Sequence, residues 1–517
     1  MKLIWLFQSA DDGMGNKIAF VTPARTYTYA DICKAVAHTI HALGRLGVRR
    51  GQQVVLIPEH DESAVVFMAA ASAIGIQIVM PYNLQNAAIP EWVNIIQTVK
   101  PDHVVYLRQD KAVEELQWAT AEDIHFIKLN AFAENNCADI IDIIVGSPDP
   151  VENFLVLFTS GTTGKAKAVS VSESLVCKRV ASVSKQLKFS ADARIFMSGL
   201  INNTTGVIFS FGALLHNATL VFPAGRVIEQ WPQQVEHHRI THMMLRPVAL
   251  RRFVEGTREC GADLSSLRVM AYGAAALPKK LLEEARALIP CEWVQGYGLS
   301  ETFGPFCWLT EDDHQRKLYE EYIYCVGRPD DSLDISLHFS DVSENSVGEV
   351  ILRGAGLMEG YFDLSSGQVQ PVVEFFHTGD YGHFSENGEL ILKGRISNTI
   401  LSKNGHRLYP EEVESVIAGI ADVKEVLLLS IPTANNLGNT PVVCIYGPLA
   451  QQSDEVIGQV ISAQLGGQLS KEKWPDYVYP SRFPFPKSAN DKIIKAEVLK
   501  TIDVKALIPI SVMEEIS

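Results

Sequence analysis

The chain has 517 residues, 47% hydrophobic and 20% charged, with 36 Gly and 24 Pro. At roughly 100–200 residues per domain this is two to four domains of ordinary globular composition, which excludes disorder, collagen-like repeats and a small stapled scaffold. A net charge of −15 without a basic block gives no electrostatic footprint for nucleic acid or an anionic membrane surface. An anionic substrate must then be gripped locally, by backbone donors and a few chosen cations.

In chain order, residues 1–7 carry one cation and a short apolar run, too brief for a signal-peptide core, and read as packing. Helical periodicity over 29–46 is followed by a short apolar strand at 53–58. Residues 63–90 hold no charge and suggest a membrane span, but Gly75 splits the run into an Ala-rich half and a β-branched half ended by Pro81. A helix and then a buried strand explain both halves. Further apolar strands are expected at 103–107, 154–160 and 218–223, spaced by helices, which implies mostly parallel sheet with helices on its faces. From about residue 325 Gly-punctuated, hairpin-like strands follow at 348–354, 360–362 and 388–394, and a helix starts behind Pro410. The expected fold is α/β: a large N-terminal domain of mixed, mostly parallel sheets with helices and a β-rich subdomain (1–395), then a small mobile α+β C-terminal domain (396–517). The eight cysteines are scattered without a C-x-x-C pair, which argues for reduced thiols, against a zinc site, and for a cytoplasmic location without a membrane span.

The chemistry concentrates first at Phe158-Thr159-Ser160-Gly161-Thr162-Thr163-Gly164-Lys165-Ala166-Lys167, behind an apolar strand. Glycines let backbone N–H groups turn inward, hydroxyls add donors and lysines add charge, the chemistry of a polyphosphate cradle. The spacing is not that of a Walker A loop, because Gly161 and Gly164 stand too close together.

This loop resembles the signature of adenylate-forming enzymes: acyl- and aryl-CoA synthetases, peptide-synthetase adenylation domains and luciferases. Further landmarks keep the family's order: Gly273-Ala274-Ala275-Ala276, Gln295-Gly296-Tyr297-Gly298-Leu299-Ser300-Glu301, Val326-Gly327-Arg328-Pro329, Gly348-Glu349-Val350, His377-Thr378-Gly379-Asp380, Gly394-Arg395 and Lys492. The resemblance implies that Thr159–Gly164 and Lys167 hold phosphates, that Gly296 and Tyr297 face adenine, and that Ser300 bonds near the α-phosphate. It implies that Glu301 holds Mg²⁺ between ATP phosphates, that Asp380 accepts both ribose hydroxyls, and that Arg395 is its partner. Lys492 would bridge the attacking carboxylate and the α-phosphate, with Lys487 and Lys495 as nearby lysines outside that role.

The departures are as informative. Asn202 and Asn203 stand where peptide-synthetase domains anchor an α-amino group with Asp, so a free amino acid is disfavoured as substrate. With Gly273, Ala274 and Ala275 they are expected to line an acyl pocket. Asp491 replaces the usual Gly before the terminal lysine, and the hinge reads Gly394-Arg395-Ile396-Ser397-Asn398 without its usual charges. His237, His238 and His242 read as a partly exposed helix and following turn, not a metal site, and Glu411, Glu412 and Glu414 as a charged helix face.

The function expected is an ATP- and Mg²⁺-dependent ligase that converts an organic acid (fatty, aryl or related) to acyl-AMP, releases pyrophosphate and passes the acyl group to the thiol of CoA. CoA is expected because the chain ends soon after Lys492. The phosphopantetheine arm of an acyl carrier protein is the alternative acceptor. A nucleotide-binding module without chemistry, and an adenylate-using enzyme with a different second step, such as a lactone-forming ligase or an oxygenase, are the remaining alternatives.

Overall fold

The structure is a computed structural model and describes residues 2–4, 15–58, 62–81, 89–108, 111–120, 124–132, 149–159, 167–275, 277–316, 325–339, 347–363, 366–372, 374–401, 407–432, 439–487 and 493–510. The first long helix, Tyr29–Arg45, starts where the sequence supplies a reciprocal cap: the Thr28 side chain accepts the Asp31 N–H, and the Asp31 carboxylate accepts the Thr28 N–H. The charge-free run divides at Gly75 into the helix Glu62–Ile74 and the strand Gln77–Met80, as expected. No described helix is long and apolar enough to cross a membrane.

Among the described residues two large sheets form. One runs Arg328–Pro329, Gly304–Leu309, Glu292–Leu299, Val269–Gly273, His242–Leu245, Arg194–Phe196, Thr219–Val221, Ile18–Val21, Thr26–Thr28; its middle is parallel and its ends antiparallel. The other runs Gln368–Pro371, Gly360–Asp363, Lys167–Val171, Leu155–Thr159, Gln77–Met80, Gln53–Ile57, His103–Tyr106, His125–Lys128.

Strand alternation explains how they stack, because successive side chains leave opposite faces. Val54 and Leu56 of the second sheet, and Val269 and Ala271 of the first, share one core with helices Tyr29–Arg45, Glu62–Ile74, Glu173–Gln186 and Thr204–Leu215. Val55 and Ile57 turn instead to helices Ile89–Val99 and Lys111–Ala119. Met270 and Tyr272 turn to Trp231–His238, Pro247–Cys260 and Lys279–Leu288. The result is helix, sheet, helix, sheet, helix. Lys2, Leu3 and Ile4 are wholly buried, with the Leu3 N–H on Glu173 Oε1 at 2.8 Å, so this part of the N-terminal run is packing as expected.

The β-rich part is an antiparallel sheet of Asp334–His338, Gly348–Arg353, Phe376–Phe384 and Leu390–Arg395. The strand at 360–362 does not join it. Gly360–Asp363 pairs antiparallel with Lys167–Val171 and so extends the second large sheet, which brings it to the strand just beyond the phosphate loop. A smaller C-terminal domain carries its own core, from Ile400 to Ile508, around the strands Glu425–Pro432, Asn439–Tyr446, Tyr477–Ser481 and Ile508–Pro509 and the helices Pro410–Ala418 and Asp454–Gly466.

One local expectation is corrected. His237 and His238 end the helix Trp231–His238, but His242 lies on the strand His242–Leu245, not a turn. It is 2% exposed, and burial pushes its pKa down to about 4, so the ring is neutral. Glu411 and Glu412 stand in the first turn of Pro410–Ala418, the charged helix face expected there, and that face is partly buried. Glu412 is buried and bridges Lys473 at 2.6 Å, and Glu414 Oε1 accepts the Leu428 N–H at 2.7 Å while burial raises its pKa to about 7. A helix that docks on a sheet buries whichever polar residues fall on the docked side.

Candidate active site

The site is built where strand ends meet. Gly273 and Gly296 face each other in register on neighbouring strands. A Cβ on Gly273 would lie 2.3 Å from the Gly296 carbonyl oxygen, and one on Gly298 would lie 2.1 Å from that of Gly304. Gly273 and Gly298 therefore answer first to close backbone approach, and Gly296 to the Pro305 side chain, 2.9 Å from where its Cβ would lie. Tyr297, between Gly296 and Gly298, points its ring edge-on at Phe306, 5.1 Å between centroids, and reaches the neighbouring β-rich sheet through its hydroxyl.

There it meets Asp380. The Tyr297 hydroxyl donates to Asp380 Oδ2 at 2.6 Å, and Arg395 Nε lies 2.7 Å from Asp380 Oδ1. Asp380 and Arg395 face each other in the ladder between Phe376–Phe384 and Leu390–Arg395, so the pair is a consequence of register. Gly379 precedes the carboxylate with φ 74°, a left-handed value that a side chain resists. The Thr378 hydroxyl fixes the turn, donating to Val350 O at 2.7 Å and accepting the Asp380 N–H at 3.0 Å. Burial pushes the Asp380 carboxyl above its ordinary range, and the Arg395 charge and Tyr297 hydroxyl pull it back. Burial also raises Tyr297, with the Asp380 charge acting in the same direction, so the phenol stays a donor.

Glu301 lies in the short turn Ser300–Thr302 after the Tyr297 strand. Its Oε1 accepts the Tyr361 hydroxyl at 2.8 Å, and its carbonyl accepts the Met358 N–H at 2.7 Å. Lys167 Nζ sits 4.8 Å from the Tyr361 ring centroid. Among the described residues Glu301 Oε2 carries no hydrogen bond. A carboxylate oriented through one oxygen suits Mg²⁺, which takes one or two carboxylates and completes its shell with phosphate and water.

The structure thus brings together Gly296, Tyr297, Ser300, Glu301, Asp380, Arg395 and Lys167. Ser160–Ala166, Ala276 and Lys492 lie outside the described residues. The backbone on either side of two of these segments is described. Thr159 and Lys167 pair antiparallel across the phosphate loop, and Lys487 and Ile493 bridge antiparallel across the segment holding Lys492. Lys487 itself pairs with Glu425 at 2.8 Å, and Lys495 opens the helix Lys495–Thr501.

The expected acyl-pocket residues occupy two places. Ala274 and Ala275 are exposed at the end of the strand Val269–Gly273, and Ala274 adopts φ 64°. A non-glycine residue there costs roughly 1–2 kcal/mol. Asn203 is the N-cap of helix Thr204–Leu215, accepting the Gly206 N–H at 2.9 Å, and Asn202 Nδ2 donates to Pro81 O at 3.4 Å. Both asparagines therefore hold backbone. Sequence reasoning missed Tyr361 altogether. Its signal was the Gly360-Tyr361 pair, readable only once Gly360–Asp363 is known to sit beside Lys167–Val171.

A family model for "AMP-binding enzyme" matches residues 6–362. The chain belongs to this AMP-binding enzyme family. It is 28% identical over 513 residues to an indoleacetate–CoA ligase of Aromatoleum aromaticum, covering 94% of this chain and 95% of that protein. It is 25% identical to a fatty acid–acyl-carrier-protein ligase of Streptomyces coeruleorubidus, covering 93% and 92%. Among solved structures, an anthranilate CoA ligase in complex with anthranoyl-AMP superposes with a TM-score of 0.81 at 19% identity, covering 98% of both chains. That structural likeness bears out the expected fold class for this member of the AMP-binding family.

Proposed function

We propose that this member of the AMP-binding enzyme family is an ATP-dependent acid–thiol ligase that forms acyl-AMP and then acyl-CoA. In the first step a substrate carboxylate oxygen attacks the α-phosphorus of ATP, the new O–P bond forms, and pyrophosphate leaves. In the second, a thiol loses its proton and attacks the acyl carbon, the C–S bond forms, and AMP departs with the electrons of the C–O bond.

The observation that carries this reading is the convergence of Tyr297, Glu301, Asp380 and Arg395 from two sheets onto one site beside Lys167. A buried carboxylate offers two acceptor oxygens to two vicinal hydroxyls, the recognition a ribose requires. Glu301 would hold Mg²⁺, which when bound neutralises phosphate charge; Tyr361 orients the Glu301 carboxylate for it. Thr159–Gly164 and Lys167 would cradle the phosphates. Lys492, carried on residues 396–517, would reach the α-phosphate during adenylation and withdraw when that domain turns about the 395–396 junction. Asn202, Asn203 and Gly273–Ala275 would bound the acyl group, with no anionic side chain among them for an ammonium.

Coenzyme A is the acceptor favoured by the relatives named for CoA ligation. The test is thioester formation with free CoA against a phosphopantetheinylated carrier protein, followed by mass spectrometry across aliphatic, aromatic and hydroxy acids. Acyl-CoA formation with AMP release is the expected result. Thioester on the carrier alone would replace CoA as acceptor, and neither thioester would sink the second step.

A further inference from the structure

We propose that Arg179 is a positioning residue that sets Glu301 for its metal, an inference that rests on the reading of Glu301 as the Mg²⁺ ligand. Arg179 lies on the helix Glu173–Gln186 and is 1% exposed. Its Nε donates to Thr302 O at 2.8 Å, Nη1 to Pro305 O at 3.3 Å and to Asp330 Oδ2 at 3.2 Å, and Nη2 to Gly356 O at 3.3 Å. The guanidinium thus ties two stretches of chain that both grip Glu301. Thr302 is its immediate neighbour; Gly356 opens the loop whose Met358 N–H holds the Glu301 carbonyl and whose continuation supplies the Tyr361 hydroxyl.

Only a planar fork with five donors can serve these acceptors together; a lysine ammonium has three donors at one point. The approach is also tight. A Cβ on Gly356 would lie 2.8 Å from Arg179 Nη2, from Leu333 Cγ and from Ser332 O, so the loop meets the guanidinium backbone-first. A buried Arg–Asp pair is by itself weak evidence for stability. Its bonds to carbonyls on both sides of a candidate metal ligand give it a specific task.

The test uses the full chain with ATP as the probe, titrated calorimetrically in Mg²⁺ and in EDTA, for wild type, Arg179→Lys, Gly356→Ala and Glu301→Gln, with thermal melting alongside. The readout is the ratio of the two ATP affinities, which a loss of folded protein alone does not move because it lowers the binding stoichiometry. Arg179→Lys, which keeps a charge for Asp330, is expected to lose roughly tenfold of the Mg²⁺-dependent gain, the lower end of what supporting partners of a ligand contribute. Gly356→Ala, which displaces the loop from the other side, is expected to lose part of the same gain. An unaltered ratio in both variants, or a fall only in melting temperature and stoichiometry, would overturn the inference while Glu301→Gln still abolished the gain. An unaltered ratio in Glu301→Gln would overturn the reading of Glu301 itself and the inference with it.

Discussion

Asp380→Asn separates a nucleotide-binding role from a structural one with the change of a single atom. The wild-type carboxylate accepts a hydrogen bond from Tyr297 at 2.6 Å and pairs ionically with Arg395 Nε at 2.7 Å. An amide has one acceptor and one donor end, and Arg395 cannot accept, so the Asn oxygen must face Arg395 and its NH₂ must face Tyr297. The tyrosine hydroxyl can rotate to accept. The fold therefore keeps a neutral partner for each group while Arg395 stays charged, and it no longer buries the carboxylate whose ionisation burial disfavours. A ribose, by contrast, loses one of two charge-assisted acceptors, a net of about 1.5–3 kcal/mol. That is roughly a tenfold to hundredfold rise in the ATP dissociation constant. The sign of the pH effect follows from the raised carboxyl: wild-type ATP affinity falls as pH drops through its folded pKa, whereas the Asn variant is flat over that range. Calorimetric ATP titration with a melting curve measures both. Wild-type affinity in a protein that melts much lower would make Asp380 a structural residue and refute the ribose assignment.

Tyr361→Phe removes the hydroxyl that holds Glu301 Oε1 and is expected to raise the Mg²⁺ concentration needed for half-maximal pyrophosphate exchange about tenfold; unchanged Mg²⁺ dependence would detach Tyr361 from the metal. Glu414 has its pKa raised from 4.5 to about 7, so its stabilising contribution is complete below pH 4.5 and lost as pH rises through 7. Glu414→Gln should melt like wild type at acid pH and higher at pH 8, and equal melting at both would contradict the burial of that group. Lys492→Ala should slow acyl-AMP formation roughly 10²–10³-fold yet spare thioester formation from preformed acyl-AMP, while Lys495→Ala spares both; equal loss in both half-reactions would end the two-conformation account.

Most of the layer structure was legible because buried strands announce themselves as short apolar runs: 53–58 and 218–223 contain Gln53–Ile57 and Thr219–Val221. The motif residues were legible too, since Tyr297 and Glu301 are consecutive features of one strand and turn. What escaped depends on contacts between distant stretches. Tyr361 meets Glu301 across 60 residues and Arg179 meets Thr302 across 123, and no local period encodes such pairs. The strand Gly360–Asp363 leaves the β-rich sheet for a partner strand at Lys167–Val171, a choice made by tertiary pairing. His242 escaped for a related reason. One polar residue among Met243, Met244 and Leu245 looks like the end of a turn until the strand is seen to be central and buried.

The central claim is that Tyr297, Glu301, Asp380 and Arg395 serve the activation of a carboxylic acid by adenylation. Acid-dependent exchange of labelled pyrophosphate into ATP, run over a panel of aliphatic, aromatic and hydroxy acids, tests it most directly because it reports the first step without any thiol. The account predicts exchange that requires both Mg²⁺ and one class of acid, with AMP accumulating once CoA is added. ATP cleaved to ADP and phosphate, or no exchange with any acid by a protein that binds ATP, would contradict it.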